Sequence, residues 1–211
     1  AQARPAHKEG SAGTIRLANS GTHAKALISL NEAAIATPDG RMLFSTGQKW
    51  IERGDRVVIL GANGTGKSRL ILAVLAAIEG AEGAIKAAPS LALGYSDQML
   101  AQLPDKATPF ALVTRSVNDQ TARTLLAGAG VKPDWQEKPL ARLSGGQKAR
   151  LAMLLLRLSN PNFYLLDEPT NYLDLEGALW LESYLAKYPH TVLIISHDRG
   201  LLNRAVQGIL H

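Results

Sequence analysis

Cysteine is absent from this chain of 211 residues, and aromatic residues make up only 5% of it. Without cysteine the chain has no disulfide framework and no thiolate ligands for a metal. The longest apolar runs, residues 70–78 and 151–156, are far shorter than the ~20 residues that a membrane-spanning helix requires. The chain also opens without a charged segment followed by an apolar run and a cleavage site. We therefore expect a cytoplasmic protein with no membrane segment.

A glycine-rich segment between Gly61 and Ser68 carries the first chemical signal. It follows the apolar run 57–60 and precedes the apolar stretch 70–78, which predicts a strand, a loop and a helix in that order. Backbone N–H groups and the positive end of the helix dipole bind phosphate in this context. We predict that Lys67 contacts the terminal phosphates of ATP and that Ser68 binds Mg²⁺. The predicted nucleotide contacts are the whole segment: Gly61, Ala62, Asn63, Gly64, Thr65, Gly66, Lys67 and Ser68.

Two acids complete this site. The apolar segment 163–166 predicts a strand, and Asp167 and Glu168 follow it directly. Parallel sheets of the doubly wound type bind ligands at the carboxyl ends of their strands. Asp167 is therefore expected to bind Mg²⁺, and Glu168 is expected to polarise or deprotonate the attacking water. A strand that ends in two solvated acids is the alternative for these residues taken in isolation.

A serine–glycine loop opens another predicted helix. Ser144 can cap that helix, and the two glycines that follow let a phosphate approach its amino end. One triphosphate has no room for two such loops. The loop is therefore expected to serve a nucleotide that a second copy of the domain holds, and its predicted contacts are Ser144, Gly145, Gly146 and Gln147.

Together with Ser196-His197-Asp198, these segments resemble the ATP-binding cassette (ABC) superfamily from about Leu30 to the end of the chain. The resemblance implies that Gln98 senses the metal and the attacking water, that Asp174 communicates across a dimer, and that His197 contacts the terminal phosphate. It also implies an α/β fold, the P-loop NTPase fold of ABC type. In this fold a mainly parallel core sheet is flanked by helices, with an antiparallel N-terminal β part and an inserted helical lobe.

Within the superfamily, the run 166–176 is similar to the soluble ABC-F group, although Tyr172 stands where that group usually has His. ABC-F proteins carry two cassettes and no membrane domain, and many act on ribosomes or confer antibiotic resistance. The resemblance, closest to a second cassette, implies Mg²⁺-dependent ATP hydrolysis by a cassette that dimerises around ATP. The implied partners are a second cassette and the ribosome or its RNA. The alternative is the nucleotide-binding subunit of an ABC transporter.

Two departures from the family pattern stand near the site. The stretch 35–40 has no aromatic residue to stack on adenine, which leaves base selectivity open, and Arg69 stands where the family often has Thr. We predict a basic linker or tail at 1–29 and an ABC domain at 30–211, with its core at 30–98 and 160–211 and its helical lobe at 99–159. Because cassettes usually run on into further strands, we expect a C-terminally truncated domain.

The net charge of +5 is unevenly distributed. Between residues 99 and 160, nine Lys and Arg stand against four Asp and Glu, whereas acids outnumber bases after residue 160. The basic lobe is suited to ribosomal RNA through phosphate neutralisation. The alternative is a solvated face together with charges that serve ATP, since no interleaved aromatic residues support base stacking.

Overall fold

A computed structural model describes residues 25–97, 103–171 and 173–196 of the chain, together with the backbone of 208–210. The strands are β1 (Ala26–Asn31), β2 (Ala34–Ala36), β3 (Met42–Ser45), β4 (Gln48–Glu52), β5 (Arg56–Ile59), β6 (Ile85–Ala87), β7 (Leu93–Asp97), β8 (Phe163–Asp167), β9 (Thr191–Ile195) and β10 (Gly208–Leu210). The helices are α1 (Lys67–Ile78), α2 (Pro109–Val113), α3 (Asp119–Gly128), α4 (Pro133–Gln136), α5 (Gly145–Leu158) and α6 (Leu175–Lys187).

The core sheet has five parallel strands in the order β10-β5-β9-β8-β7. In its register Ile59 of β5 pairs with Ile195 of β9, and Ile195 pairs with Asp167 of β8. Parallel strands have their carboxyl ends at one edge of the sheet. The sheet therefore brings the loop after β5 and the acids after β8 to the same edge.

An antiparallel part precedes and flanks this sheet, as predicted. Strand β1 pairs with β4 and β6 in a three-stranded sheet, and β2 pairs with β3 in a separate two-stranded sheet. The first strand begins at Ala26, inside the segment 1–29 that was predicted as a tail. The remaining boundary predictions are not tested by these elements and stay predictions.

The core sheet is buried on both faces. Successive strand side chains point to opposite sides of the sheet, and a separate cluster of buried residues covers each side. Val57 and Ile59 of β5 pack against Leu70 and Val74 of α1. Val58, between them, packs on the other face in a cluster that includes Leu181 of α6. In that second cluster Tyr188 stacks on Tyr164, and burial raises the pKa of Tyr188 to about 12. Two helical layers therefore enclose one sheet.

The predicted helical lobe is present as α2, α3 and α4 with the first part of α5. Its core combines Leu112 of α2, Leu126 of α3 and Leu151 of α5. Met153 on the same helix α5 belongs to the cluster on the core sheet. Helix α5 thus joins the lobe to the sheet. In the part of the chain that the structure describes, no helix is long and apolar enough to cross a membrane.

Candidate functional site

The glycine-rich loop leads from β5 to the first turn of α1. Gly66 is the N-cap residue of α1 and has a φ of 101°, in the left-handed region that glycine tolerates best. A Cβ at this position would lie 2.8 Å from Leu43 Cδ1, so the hairpin residues Leu43 and Phe44 pack closely over the loop. Because glycine has no capping side chain, the first N–H groups of α1 are available to an anion.

The ammonium group of Lys67 lies inside the loop. Its Nζ donates hydrogen bonds to the carbonyl oxygens of Gly61 at 2.6 Å and Ala62 at 2.9 Å. The Thr65 hydroxyl donates to the same Ala62 oxygen at 2.8 Å. The loop is therefore closed by its own side chains around a positive charge, which suits it to a phosphate chain.

The acid segment stands at the end of β8. Glu168 has a φ of 45°, a left-handed conformation that costs about 1–3 kcal/mol for a residue other than glycine. Its N–H donates to the Ile195 carbonyl oxygen at 2.8 Å, and its own carbonyl accepts from Asn171 N–H at 3.2 Å. These bonds fix the unusual backbone beside the phosphate loop, at a position where strain is typical of function.

One cavity of about 420 Å³ is lined by five of the eight predicted residues of the phosphate loop, together with Asp167 and Glu168. It is lined by Thr37, Leu43, Asn63, Gly64, Gly66, Lys67, Ser68, Arg69, Asp167, Glu168, Asn171 and Ile195. The tertiary structure thus brings Ser68 and Asp167 together across more than ninety residues of sequence. Gly61 and Thr65 line a neighbouring cavity of about 570 Å³, which shares Leu43 and Lys67 with the first.

The donor set in the 420 Å³ cavity fits a magnesium ion bound to a nucleotide. The described residues contain no group of three or more His, Cys, Asp or Glu side chains that could hold a metal by themselves. Mg²⁺ in nucleotide sites takes one or two protein ligands and completes its shell with phosphate oxygens and water. A hydroxyl from Ser68 and a carboxylate from Asp167, which line one cavity, are ligands of that kind.

The stretch predicted to lack an adenine-stacking residue contributes Thr37 to the cavity wall. The Thr37 hydroxyl oxygen accepts from Arg41 N–H at 3.1 Å, and a hydrogen bond from the Thr37 hydroxyl lowers the pKa of Asp39. The described lining of the 420 Å³ cavity has no aromatic ring, whereas Phe44 lines the neighbouring one. Sequence analysis did not single out Phe44, whose only signal was an apolar pair after the Asp39-Gly40 turn.

The serine–glycine loop forms a separate site at the start of α5. Ser144 Oγ accepts from Gln147 N–H at 3.2 Å, and Gln147 Oε1 accepts from Ser144 N–H at 3.0 Å, which is a capping box. The cavity here has a volume of about 740 Å³ and is lined by Ala127, Gly130, Lys132, Pro133, Trp135, Arg142, Leu143, Ser144, Gly146, Gln147, Arg150, Asp174 and Glu176. Among the residues that the structure describes, none lines both this cavity and the 420 Å³ cavity. Within the chain the two loops are therefore apart.

Two charged residues flank this second loop. Asp174, which the family resemblance had indicated, caps α6 by accepting from Gly177 N–H at 2.7 Å. Arg150 was not identified by sequence analysis as a site residue, yet it is 91% buried and its guanidinium lies near Asp174 and Glu176. Its signal was available, because Arg150 shares a helix face with the buried Met153 and Leu154.

Two predicted site residues, Gln98 and His197, lie outside the described residues, and so does Tyr172. Their roles stay predictions. Ser196, the residue before His197, is described: it is buried just after β9, at the same edge of the sheet as Asp167.

Known proteins are similar to this chain over most of its length. A family model described as "ABC transporter" matches residues 48–171. The ABC transporter F family member 5 of Arabidopsis thaliana is 30% identical over 201 residues, which make up 93% of this chain and 29% of that protein. The chain spans between 17% and 33% of the curated relatives that it matches over three quarters or more of its own length.

Solved structures are similar over most of the chain. The cbiO1 protein of Clostridium perfringens, part of the ABC transporter complex cbiONQ, is 25% identical with a TM-score of 0.61, covering 82% of this chain and 79% of that one. The archaeal ribosome recycling factor aABCE1, solved with the ribosomal stalk protein aP1, is 26% identical with a TM-score of 0.61, covering 78% of this chain and 33% of that one.

Proposed function

This chain belongs to the ATP-binding cassette (ABC) family, with relatives in its F group, and on that premise we propose that it hydrolyses Mg²⁺-ATP together with a second cassette. Its fold is the ABC-type α/β fold expected from the sequence. The observation that carries the proposal is the separation of the two glycine-rich helix starts into two cavities, which share none of their described lining residues. Each chain therefore offers two different half-sites.

The first half-site binds and cleaves the nucleotide. Lys67 exchanges its carbonyl partners for the terminal phosphates, and the N–H groups of α1 bind the same anion. Ser68 and Asp167 would hold Mg²⁺, which would neutralise the negative charge of the phosphates. Glu168, in the wall of the same cavity, accepts the proton of the attacking water.

The second half-site serves ATP held by another cassette. Ser144 and Gln147 satisfy each other at the start of α5, and the glycines between them leave the helix end open to a phosphate. The partner cassette is either a second copy of this chain or another cassette of the same parent protein. Two ATP molecules would then lie between two phosphate loops and two serine–glycine loops.

ATP turnover measured across a range of chain concentrations tests this arrangement. The rate per chain should rise with concentration, because the active unit contains two cassettes. Turnover should require Mg²⁺ and fall in Lys67→Ala and Glu168→Gln variants. A rate per chain that is independent of concentration would contradict the two-cassette site while leaving ATP binding intact.

We further propose a cytoplasmic role in translation, with the ribosome as the partner. The support is the similarity to the F group and to the ribosome recycling factor aABCE1, together with the exposed basic residues of the lobe. These exposed residues are Lys106, Arg115, Arg123, Lys132 and Arg142. Arg123 also stacks on Phe110, and the half-buried Lys138 stacks on Trp135.

Co-sedimentation with ribosomes tests this role. The Glu168→Gln variant with ATP should pellet with ribosomes and should not do so with the Lys67→Ala change added. Pelleting should weaken as salt rises, because phosphate contacts release counterions.

The similarity to cbiO1 favours a second candidate, the nucleotide-binding subunit of a transporter. Capture of a membrane subunit, with no ribosomes in the pellet, would select that candidate.

A further inference from the structure

We propose that Arg150 is a positioning residue, which holds Asp174 beside the serine–glycine loop and so prepares this half-site for the nucleotide of a second cassette. The inference rests on the proposed two-cassette function. It adds a residue on α5 that touches neither the phosphate loop cavity nor, in our proposal, the nucleotide itself. Four observations support it: the burial of Arg150, its ion pairs, the space around its guanidinium, and the position of Asp174.

The burial of Arg150 needs a reason. Its side chain is only 11% exposed, among the apolar residues of α5 that face the lobe and the core. A buried cation is unfavourable unless it is paired, because the charge loses its hydration. An apolar residue at this position would cover the same neighbours without that cost. The charge of Arg150 therefore indicates a specific role, and its ion-pair partners indicate which one.

Those partners stand at the start of α6. The Arg150 Nη2 atom lies 3.7 Å from Asp174 Oδ1 and 3.6 Å from Glu176 Oε1. Both carboxylates are largely exposed, at 68% and 83%. One guanidinium thus neutralises two acids that line the same 740 Å³ cavity as Ser144. The planar guanidinium can face two acceptors at once, which a lysine ammonium does less well.

The space for this guanidinium is provided by Gly130 in the lobe. A Cβ at Gly130 would collide with Arg150 Nη1, and the φ of 79° at Gly130 also favours glycine. Arg150 therefore touches the backbone of the lobe on one side and the α6 acids on the other. Three elements, the lobe, α5 and the start of α6, meet at one side chain.

Asp174 is next to the proposed phosphate position. A Cβ at Gly146 would lie 3.6 Å from Asp174 Oδ1, so this carboxylate flanks the serine–glycine loop. A triphosphate that approaches the loop is repelled by an uncompensated carboxylate at this distance. Arg150 offsets that repulsion and keeps the acid in its capping position at Gly177.

Asp174 also ends the segment that begins at Glu168. Two hydrogen bonds lie within this segment, one from Asn171 N–H to Glu168 O and one from Leu173 N–H to Thr170 O. The ion pair of Arg150 with Asp174 therefore lies only six residues along the chain from the proposed general base.

The test measures ATP-driven association of two chains in a Glu168→Gln background, where the nucleotide is not consumed. Sedimentation gives the dimer dissociation constant, and a fluorescent ATP analogue gives nucleotide affinity at the chain's own phosphate loop. Arg150→Met should weaken association about tenfold, within the range typical of coupled sites, with nucleotide affinity unchanged. Arg157→Met is the matched control, because Arg157 is an exposed arginine seven residues further along α5.

Two further variants separate positioning from general stability. Arg150→Lys keeps the charge and should recover part of the association. Asp174→Asn keeps the α6 cap and removes the charge. If Arg150 acts through Asp174, Arg150→Met in the Asp174→Asn background should have a smaller effect than Arg150→Met alone.

The outcomes distinguish this inference from the function on which it rests. Association of Arg150→Met within twofold of its Glu168→Gln parent overturns the inference and leaves the two-cassette function standing. Loss of association and of nucleotide affinity together, with a matching fall in thermal stability, also overturns it, since that pattern indicates a structural role alone. If the parent binds ATP without associating at any concentration, the homodimeric arrangement fails and the inference fails with it.

Discussion

Helices α1 and α5 both begin at glycine-rich turns, yet they satisfy their first N–H groups in different ways. At α1 the N-cap is Gly66, which has no side chain to accept a hydrogen bond. At α5 the N-cap is Ser144, and a reciprocal pair of bonds with Gln147 completes a capping box. The first helix start is prepared for an external anion, whereas the second is already stable in the isolated chain.

The two loops also differ in their backbone conformation. Gly64, Gly66 and the facing Glu168 all have positive φ values, while neither Gly145 nor Gly146 does. The loop with left-handed glycines holds the positive charge of Lys67, and the other loop lies beside the carboxylate of Asp174. Under the proposed function, the first half-site is formed by folding, and the second becomes functional only when another cassette arrives.

The largest expected effect concerns Glu168. Replacing Glu168 by Gln removes the proposed general base and should lower the steady-state rate of ATP hydrolysis about 10³-fold, with ATP affinity within threefold of the wild type. A phosphate-release assay and equilibrium binding measure the two quantities. Glu182→Gln, on α6 and away from both cavities, is the control. Wild-type turnover in the Glu168 variant would remove Glu168 from the chemistry of the first half-site.

Lys67 provides the next largest effect, on binding at the first half-site. Lys67→Ala should weaken ATP about 30-fold, because the lost interaction is a charge-assisted hydrogen bond to phosphate. Titration with a fluorescent ATP analogue measures this change. Lys86→Ala, at an exposed position of β6, should bind as the wild type does. Equal affinities of the two variants would mean that α1 is not the primary phosphate site.

A pair of glycine substitutions sharpens the comparison through stability. Gly66→Ala should lower the free energy of unfolding by about 2 kcal/mol, because alanine is strained at a φ of 101° and its Cβ crowds Leu43. Gly146→Ala should change it by less than about 0.5 kcal/mol, since its Cβ meets Asp174 only at ordinary contact distance. Urea denaturation gives the free energy of unfolding of both variants. Equal losses would contradict the expectation that only Gly66 has a backbone conformation and a close contact that exclude a side chain.

The smallest expected effect concerns the capping box at the start of α5. Ser144→Ala should lower the free energy of unfolding by about 1 kcal/mol through loss of the N-cap bond. Ser144→Asn, which retains a capping oxygen, should recover most of that loss. Thermal denaturation provides the measurement. A Ser144→Ala variant as stable as wild type would show that the capping box does not stabilise α5, and the contrast with α1 would then be lost.

The sequence was most informative where neighbouring residues carry the signal. The loop between β5 and α1 and the acids after β8 follow local patterns, because a few consecutive side chains decide strand, turn and helix. Arg150 was harder to interpret, since its partners Asp174 and Glu176 are more than twenty residues away. Phe44 had no distinguishing pattern, and its place beside Lys67 depends on how a hairpin packs over α1.

By itself the amino-acid sequence determined the two kinds of helix start and the order of strand, loop and helix, because these depend on short-range capping, periodicity and glycine conformations. The tertiary structure alone decided that Ser68 meets Asp167 in one cavity while Ser144 lies in another with Arg150 and Asp174. The physical reason is that the parallel register of β5, β9 and β8 and the burial of α5 against two cores bring distant segments together. Those contacts arise from packing, which has no local pattern in the chain.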